Sequence, residues 1–131
     1  MESLSFDTTF LIDFQRERKH GKKGRAHQFL ANHAESGAYL SVIACGEYGE
    51  GFENPYDSAL ISVVESFEIL PITQKTAEFY ARIARTMRRD GNLIGSNDLW
   101  IAAVALENNL PLVSDNSSHF GRVPDLRLLG Y

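Results

Sequence analysis

Short apolar runs alternate with longer segments of helical period along the chain, and that alternation leaves few folds open. Leu4–Phe6, Tyr39–Ile43, Phe67–Leu70 and Leu112–Val113 read as buried strands, with Arg127–Leu129 a possible fifth. Between them lie helical stretches. One begins near Thr8, whose hydroxyl can cap it. Ala26, Phe29, Leu30 and His33 keep the i, i+3, i+4, i+7 spacing of an amphipathic helix that Gly37 ends. A short helix follows around Glu47. Pro55 suits a helix N-terminus ahead of Ala59–Glu65. Thr73–Arg89 is a long helix closed by Gly91. Asn97–Glu107, opened by Gly95-Ser96, is apolar almost all round and so expected to be buried. Strands this short and apolar, separated by helices, pair in parallel with helices on both faces. The expected fold is a three-layer α/β/α domain over residues 1–131, with a central parallel sheet of four or five strands.

That architecture says where to look for chemistry, because open α/β sheets bind ligands at the carboxyl ends of their strands. Asp7 ends the first strand, and Glu47 lies one helical turn past the second. Asp98 lies in the first turn of the buried helix, and Asp115 just past the fourth strand. Each has an ordinary reading alone: Asp7 and Asp98 as helix N-terminal residues, Glu47 as a solvated helix residue, Asp115 as a turn residue. Their common placement at one sheet edge favours a site. Crowded carboxylates repel, and a divalent cation removes the repulsion. Oxygen ligands with no His or Cys beside them suit Mg²⁺ or Mn²⁺ better than Zn²⁺.

The charge distribution bears on the partner. The net charge is −4, which opposes polyanion binding overall, yet six of the 13 basic residues lie between Arg16 and Arg25. Arg82, Arg85 and Arg89 share one face of a single helix. One basic patch is enough for RNA, whatever the sign of the whole surface. The single cysteine, Cys45, excludes an internal disulfide and reads as a small buried apolar residue suited to a reducing cytoplasm. No apolar run reaches the roughly 18 residues of a membrane span, and the N-terminus shows no signal-peptide pattern. His20, His27, His33 and His119 have no metal-binding spacing, and His119 is expected to point at solvent. Trp100 reads as core.

The motifs together resemble the PIN-domain ribonucleases of the VapC toxin family. The similarity runs through FDTTFLID around Asp7-Thr8, SVIACGEYGEG around Glu47, IGSNDLWIAAVAL around Asp98, and the stretch from Pro111 to Tyr131. It implies a Mg²⁺-dependent endoribonuclease, with Mn²⁺ able to substitute. Asp7, Glu47, Asp98 and Asp115 would hold the metal, and Thr8 and Ser114 would hydrogen-bond a carboxylate or the phosphate. The family's fourth acid, or the asparagine that often replaces it, matches Asn116, with the acid here at Asp115. The resemblance further implies a homodimer and a small cognate antitoxin as partner. Two alternatives remain: a PIN-like fold that binds RNA or protein without cleaving, and a receiver-type phospho-accepting domain. The receiver reading needs an acid pair after the first strand and a lysine after the last, and neither is present.

Overall fold

A computed structural model describes residues 2–131. Five parallel strands form one sheet in the order β3-β2-β1-β4-β5: β1 Ser3–Phe6, β2 Gly37–Ser41, β3 Glu68–Leu70, β4 Leu112–Val113 and β5 Leu128–Leu129. The chain therefore starts at the centre, builds outward through β2 and β3, then returns to the other side of β1. Right-handed crossovers in opposite directions put helices on both faces. They also create a topological switch point between β1 and β4, where the connections diverge and leave a crevice. The register fixes its edge, since Phe6 pairs with Leu40 on one side and Val113 on the other.

The elements follow from local chemistry, with several corrections to the sequence reading. Helix α1 (Thr8–Lys19) is capped by Asp7, whose carboxylate accepts from the Thr8 N–H; the Thr8 hydroxyl is used elsewhere. Helix α2 (Arg25–Asn32) ends before Gly37, which starts β2 rather than closing the helix. The Ser41 hydroxyl caps α3 (Val42–Glu50), so Val42 and Ile43 are helical and not strand despite their β-branched side chains. Asp57, not Pro55, caps α4 (Ser58–Glu65). Helix α5 (Gln74–Arg89) opens on a reciprocal Thr73–Thr76 capping box. Helix α6 (Ser96–Glu107) is buried along most of its length, as its composition requires. A one-turn helix, α7 (Ser117–Phe120), was not anticipated.

Aromatic packing places the first helix against the sheet. Phe6 of β1 meets Phe10 of α1 at 4.7 Å and Phe67 at 5.3 Å between ring centroids, and Phe10 meets Tyr131 edge-on at 4.8 Å. Phe6 and Phe10 are essentially inaccessible, and each contributes about 1.5–3 kcal/mol by burial. A second device ties α1 to α2. The Glu17 carboxylate accepts from the backbone N–H groups of Ala26 and His27, both at 3.0 Å, and bonds the His27 ring at 2.7 Å. It thus caps a helix that Gly24 cannot cap. A Cβ at Gly24 would lie 2.7 Å from that carboxylate, so the close approach needs glycine. Cys45 is only half-buried, packed against the core, and burial raises its thiol pKa. Among the described residues, no helix is long and apolar enough to cross a membrane.

Candidate active site

The switch-point crevice holds a buried carboxylate. Asp7 follows β1 directly, and its own N–H donates to the Val113 carbonyl at 3.0 Å, so the strand pairing extends to the site residue itself. The side chain is 3% exposed. Its Oδ1 accepts from the Thr8 N–H at 2.7 Å; its Oδ2 accepts from the hydroxyls of Thr9 and Ser114, both at 2.8 Å. Ser114 stands at the end of β4, anchored by its N–H on the Leu129 carbonyl. Its hydroxyl in turn accepts from the Asn116 N–H at 3.0 Å. Adjacent strand ends therefore clamp one carboxylate.

Burial sets the electrostatics of this group. Desolvation raises the Asp7 pKa above its ordinary 3.8; hydrogen bonds from Ser114, Thr9 and the Thr8 amide oppose the rise, and the nearby negative charge of Asp98 adds to it. Three good donors do not compensate for the loss of water.

Two further acids stand around Asp7, each held by its own partners. Glu47 of α3 accepts from the Thr8 hydroxyl at 2.7 Å and from the Asn97 amide at 3.1 Å. Thr8 thus links the Asp7 cap to Glu47, and Asn97 links Glu47 to the start of α6. Asp98, in the first turn of α6, lies 2.9 Å from His119 Nδ1 through its Oδ2. The Asn116 amide nitrogen is 3.1 Å from the same ring nitrogen. A nitrogen that donates to Asp98 cannot also accept from Asn116, and the charged carboxylate is the stronger partner for its proton.

Asp115 stands apart. Its carboxylate faces Arg25 at 3.8 Å on the exposed side of the loop. Asn116 turns the other way, toward His119. The structure therefore brings together Asp7, Thr8, Glu47, Asp98, Ser114 and Asn116, and leaves Asp115 outside. Sequence reasoning missed Thr9, Asn97 and His119. The expectation of a histidine-free cluster fails because the unforeseen α7 turn carries the His119 ring to Asp98, although that side chain stays 45% exposed. Thr9 and Asn97 flank recognised residues, which is the one local signal they offer.

The other candidates have structural partners. His27 stacks on Phe14 and His33 on Phe29. Trp100 stacks on Tyr80, 4.0 Å between centroids, in the α5–α6 joint. Lys19, Lys22 and Lys23 are exposed, and Arg82, Arg85 and Arg89 flank one shallow depression on α5.

A divalent cation is the group that this donor set invites. The donors are hard carboxylate oxygens, and the charge of Asp98 already disfavours ionisation of Asp7. Among the described residues, no three acidic, His or Cys side chains stand at mutual ligating spacing, because each acid is turned onto its own hydrogen-bond partners. Mg²⁺ commonly takes one or two protein carboxylates and fills its remaining positions with water, so Asp7 with one neighbour satisfies that pattern.

Comparison with known proteins identifies the family. The PIN domain family matches residues 5–126 of this chain. Ribonuclease VapC1 of Methanocaldococcus jannaschii is 30% identical over 126 residues, covering 95% of this chain and 84% of that protein. The solved structure of VapBC2 from Rickettsia felis, bound to a DNA fragment from their promoter, superposes with a TM-score of 0.83 at 25% identity, covering 98% of each chain. VapBC-1 from nontypeable Haemophilus influenzae gives 0.80 at 26% identity, covering 97% of this chain and 96% of that one.

Proposed function

This chain belongs to the PIN-domain family, and on that footing we propose that residues 1–131 form one nuclease domain that cleaves RNA with a divalent metal. The observation that carries the reading is Asp7: a buried carboxylate at the switch point, clamped by two strand ends, with a second acid's charge beside it. Asp7, with Asp98 or Glu47 beside it, would hold Mg²⁺, or Mn²⁺ in its place. Bound there, the ion would lower the pKa of a water for in-line attack and neutralise charge on the phosphodiester.

The chain's own groups do the positioning. Ser114 and Thr9 fix both the place and the rotamer of Asp7, and Thr8 and Asn97 fix the Glu47 carboxylate. His119 orients Asp98. Asn116 contributes a neutral polar side chain at the rim, adding no charge to repel a phosphate. With Asp115 turned to Arg25, the metal would rest on Asp7 and on Asp98 or Glu47, and Asp115 belongs to the rim.

The relatives named VapC are ribonucleases, and the VapBC structures contain such a protein with its partner. By that likeness this chain acts in the cytoplasm as the toxin of a toxin–antitoxin pair, as a homodimer restrained by a small cognate antitoxin. A second reading, an RNA- or protein-binding domain without cleavage, draws on the outward turn of Asp115, which removes one acid from the cluster. Incubating purified protein with single-stranded RNA in Mg²⁺ and in EDTA decides between them. Cleavage in Mg²⁺ alone, absent from Asp98→Asn, supports the nuclease. Binding without cleavage in either condition supports the second reading.

A further inference from the structure

A recess of about 320 Å³ opens between the second half of α1, the α1–α2 turn and Tyr131, and the active site does not use it. Its rim is cationic in an acidic protein. Arg16 and Arg25 are both 68% exposed at the side chain, and Lys22 is exposed beside them. Their existing partners are loose: Arg16 lies 3.7 Å from Asp13, and Arg25 lies 3.8 Å from Asp115 and 3.4 Å from the Tyr131 carbonyl. The two acids that line the recess are already engaged. Glu17 accepts the three α2 donors, and Asp13 accepts the Tyr131 hydroxyl at 2.6 Å. The arginines and Lys22 are therefore the groups free to meet a ligand, and the ligand they suit is anionic.

The recess also offers an aromatic surface. The Arg25 guanidinium lies over the Tyr131 ring, 5.7 Å from its centroid, and the ring is braced edge-on by Phe10. Cationic groups set around an aromatic ring are how proteins hold single-stranded nucleic acid, with phosphate on the charge and base on the ring. The volume suits one nucleotide and is too small for a duplex, lying near the lower end of the roughly 300–1,000 Å³ of ligand sites.

Its position relative to Asp7 completes the argument. Thr9, Asp13 and Arg16 lie at i, i+4 and i+7 on one face of α1, and its C-cap residue His20 follows at i+11. Thr9 bonds Asp7, Asp13 bonds Tyr131, and Arg16 and His20 line the recess. At 1.5 Å per residue the recess begins roughly 9 Å along the helix from Asp7 and ends at roughly 20 Å. Asp115, next to Ser114 in the chain, holds Arg25 at the near side. One track thus joins the buried carboxylate to the basic recess.

We propose that this recess is a subsite for an unpaired nucleotide flanking the scissile phosphate of a single-stranded RNA. Arg25 leaves Asp115 for a backbone phosphate, Arg16 and Lys22 meet the next, and the base lies against Tyr131. The proposal rests on the nuclease reading above. It also gives Asp115 a role at the rim, as the carboxylate that holds Arg25 until RNA arrives.

The test compares two triple variants with equal loss of charge, Arg16→Ala/Lys22→Ala/Arg25→Ala and Arg82→Ala/Arg85→Ala/Arg89→Ala, in Mg²⁺-dependent cleavage of a short single-stranded RNA over a range of salt. All six side chains are on the surface, and circular dichroism checks that both variants fold. The recess variant is expected to raise KM at least tenfold, with the loss falling on KM rather than kcat, and to flatten the dependence of log(kcat/KM) on log salt by about 1–2. The α5 variant is expected to change KM less than threefold. Equal losses from both variants, or no change in KM from the recess variant while the unaltered protein cleaves, overturns the subsite alone. Absence of cleavage by the unaltered protein overturns the nuclease reading and the subsite with it.

Discussion

Replacing Asp7 with Asn separates what the crevice does for catalysis from what it does for stability. The change is nearly isosteric, and Asn caps helices as well as Asp does. What it removes is the charge. Three hydrogen bonds, from Thr8, Thr9 and Ser114, lose their charge assistance; the difference between charged and neutral bonds is about 1 kcal/mol each, so roughly 3 kcal/mol is at stake. Against that, a carboxylate with 3% exposure no longer has to be held ionised away from water, a penalty of several kcal/mol, and the repulsion from Asp98 disappears. The upward pKa shift says that the second group of effects outweighs the first. In the native protein, stability therefore falls as pH rises from 3.8 through the raised pKa, and the deficit persists at neutral pH. Asp7→Asn should lose that slope. In EDTA at pH 7 we expect it to be level with the native protein or more stable by about 1 kcal/mol, roughly 3–4 °C in Tm for a chain of this length. Saturating Mg²⁺ should raise the Tm of the native protein and leave the variant unmoved. RNA cleavage should fall at least a hundredfold. Thermal melts with and without Mg²⁺, run beside a cleavage assay, check all three. A variant that melts about 2 kcal/mol below the native protein in EDTA, or that cleaves at the native rate, refutes the reasoning.

Other expectations follow from neighbouring residues. Asn116→Ala should reduce cleavage by about tenfold or more, and Asp115→Ala by less, because Asn116 faces His119 while Asp115 faces Arg25; a larger loss from Asp115→Ala in a Mg²⁺ titration would reverse that order. Glu17→Gln should lower stability at pH 7 by about 2 kcal/mol, since it weakens an α2 cap and a bond to His27. Burial alone would raise the Glu17 pKa, but the bonds and charge of the α2 terminus hold it below 4.5. Its contribution is thus present above pH 4.5 and lost as pH falls through the depressed value, so the gap between native and variant melts should close in acid. Expression of the chain alone should arrest growth of a bacterial host, with rescue by a small protein encoded beside it; normal growth with soluble, active protein would argue against a toxin.

The parallel sheet was legible because apolar runs are local signals, and the placing of Asp7, Glu47 and Asp98 after their strands or at a helix start follows from its topology. Helix α6 was legible because an all-round apolar helix has nowhere to go but inside. The β2–α3 boundary was not, since Val42 and Ile43 favour strand while the Ser41 hydroxyl, one residue earlier, starts a helix. The directions of Asp115 and Asn116 depend on a loop whose partners, Arg25 and His119, lie on other elements, and adjacency in sequence carries no such information. The bond of His119 to Asp98 was missed for the same reason: a four-residue helix has too few positions to show a period, yet it brings that half-exposed ring to Asp98. The Glu17 cap of α2 bridges nine residues across a glycine and leaves no pattern that a capping rule would find.

Whether Asp7 and its neighbouring acids form a metal centre is decided by an anomalous difference map from crystals soaked in Mn²⁺. We expect a peak at the carboxyl edge of β1 and β4, bonded to Asp7 and to at least one of Asp98 and Glu47, with Asp115 still on Arg25. No peak there, with Asp98 still on His119 and Glu47 still on Thr8 at saturating Mn²⁺, would contradict it.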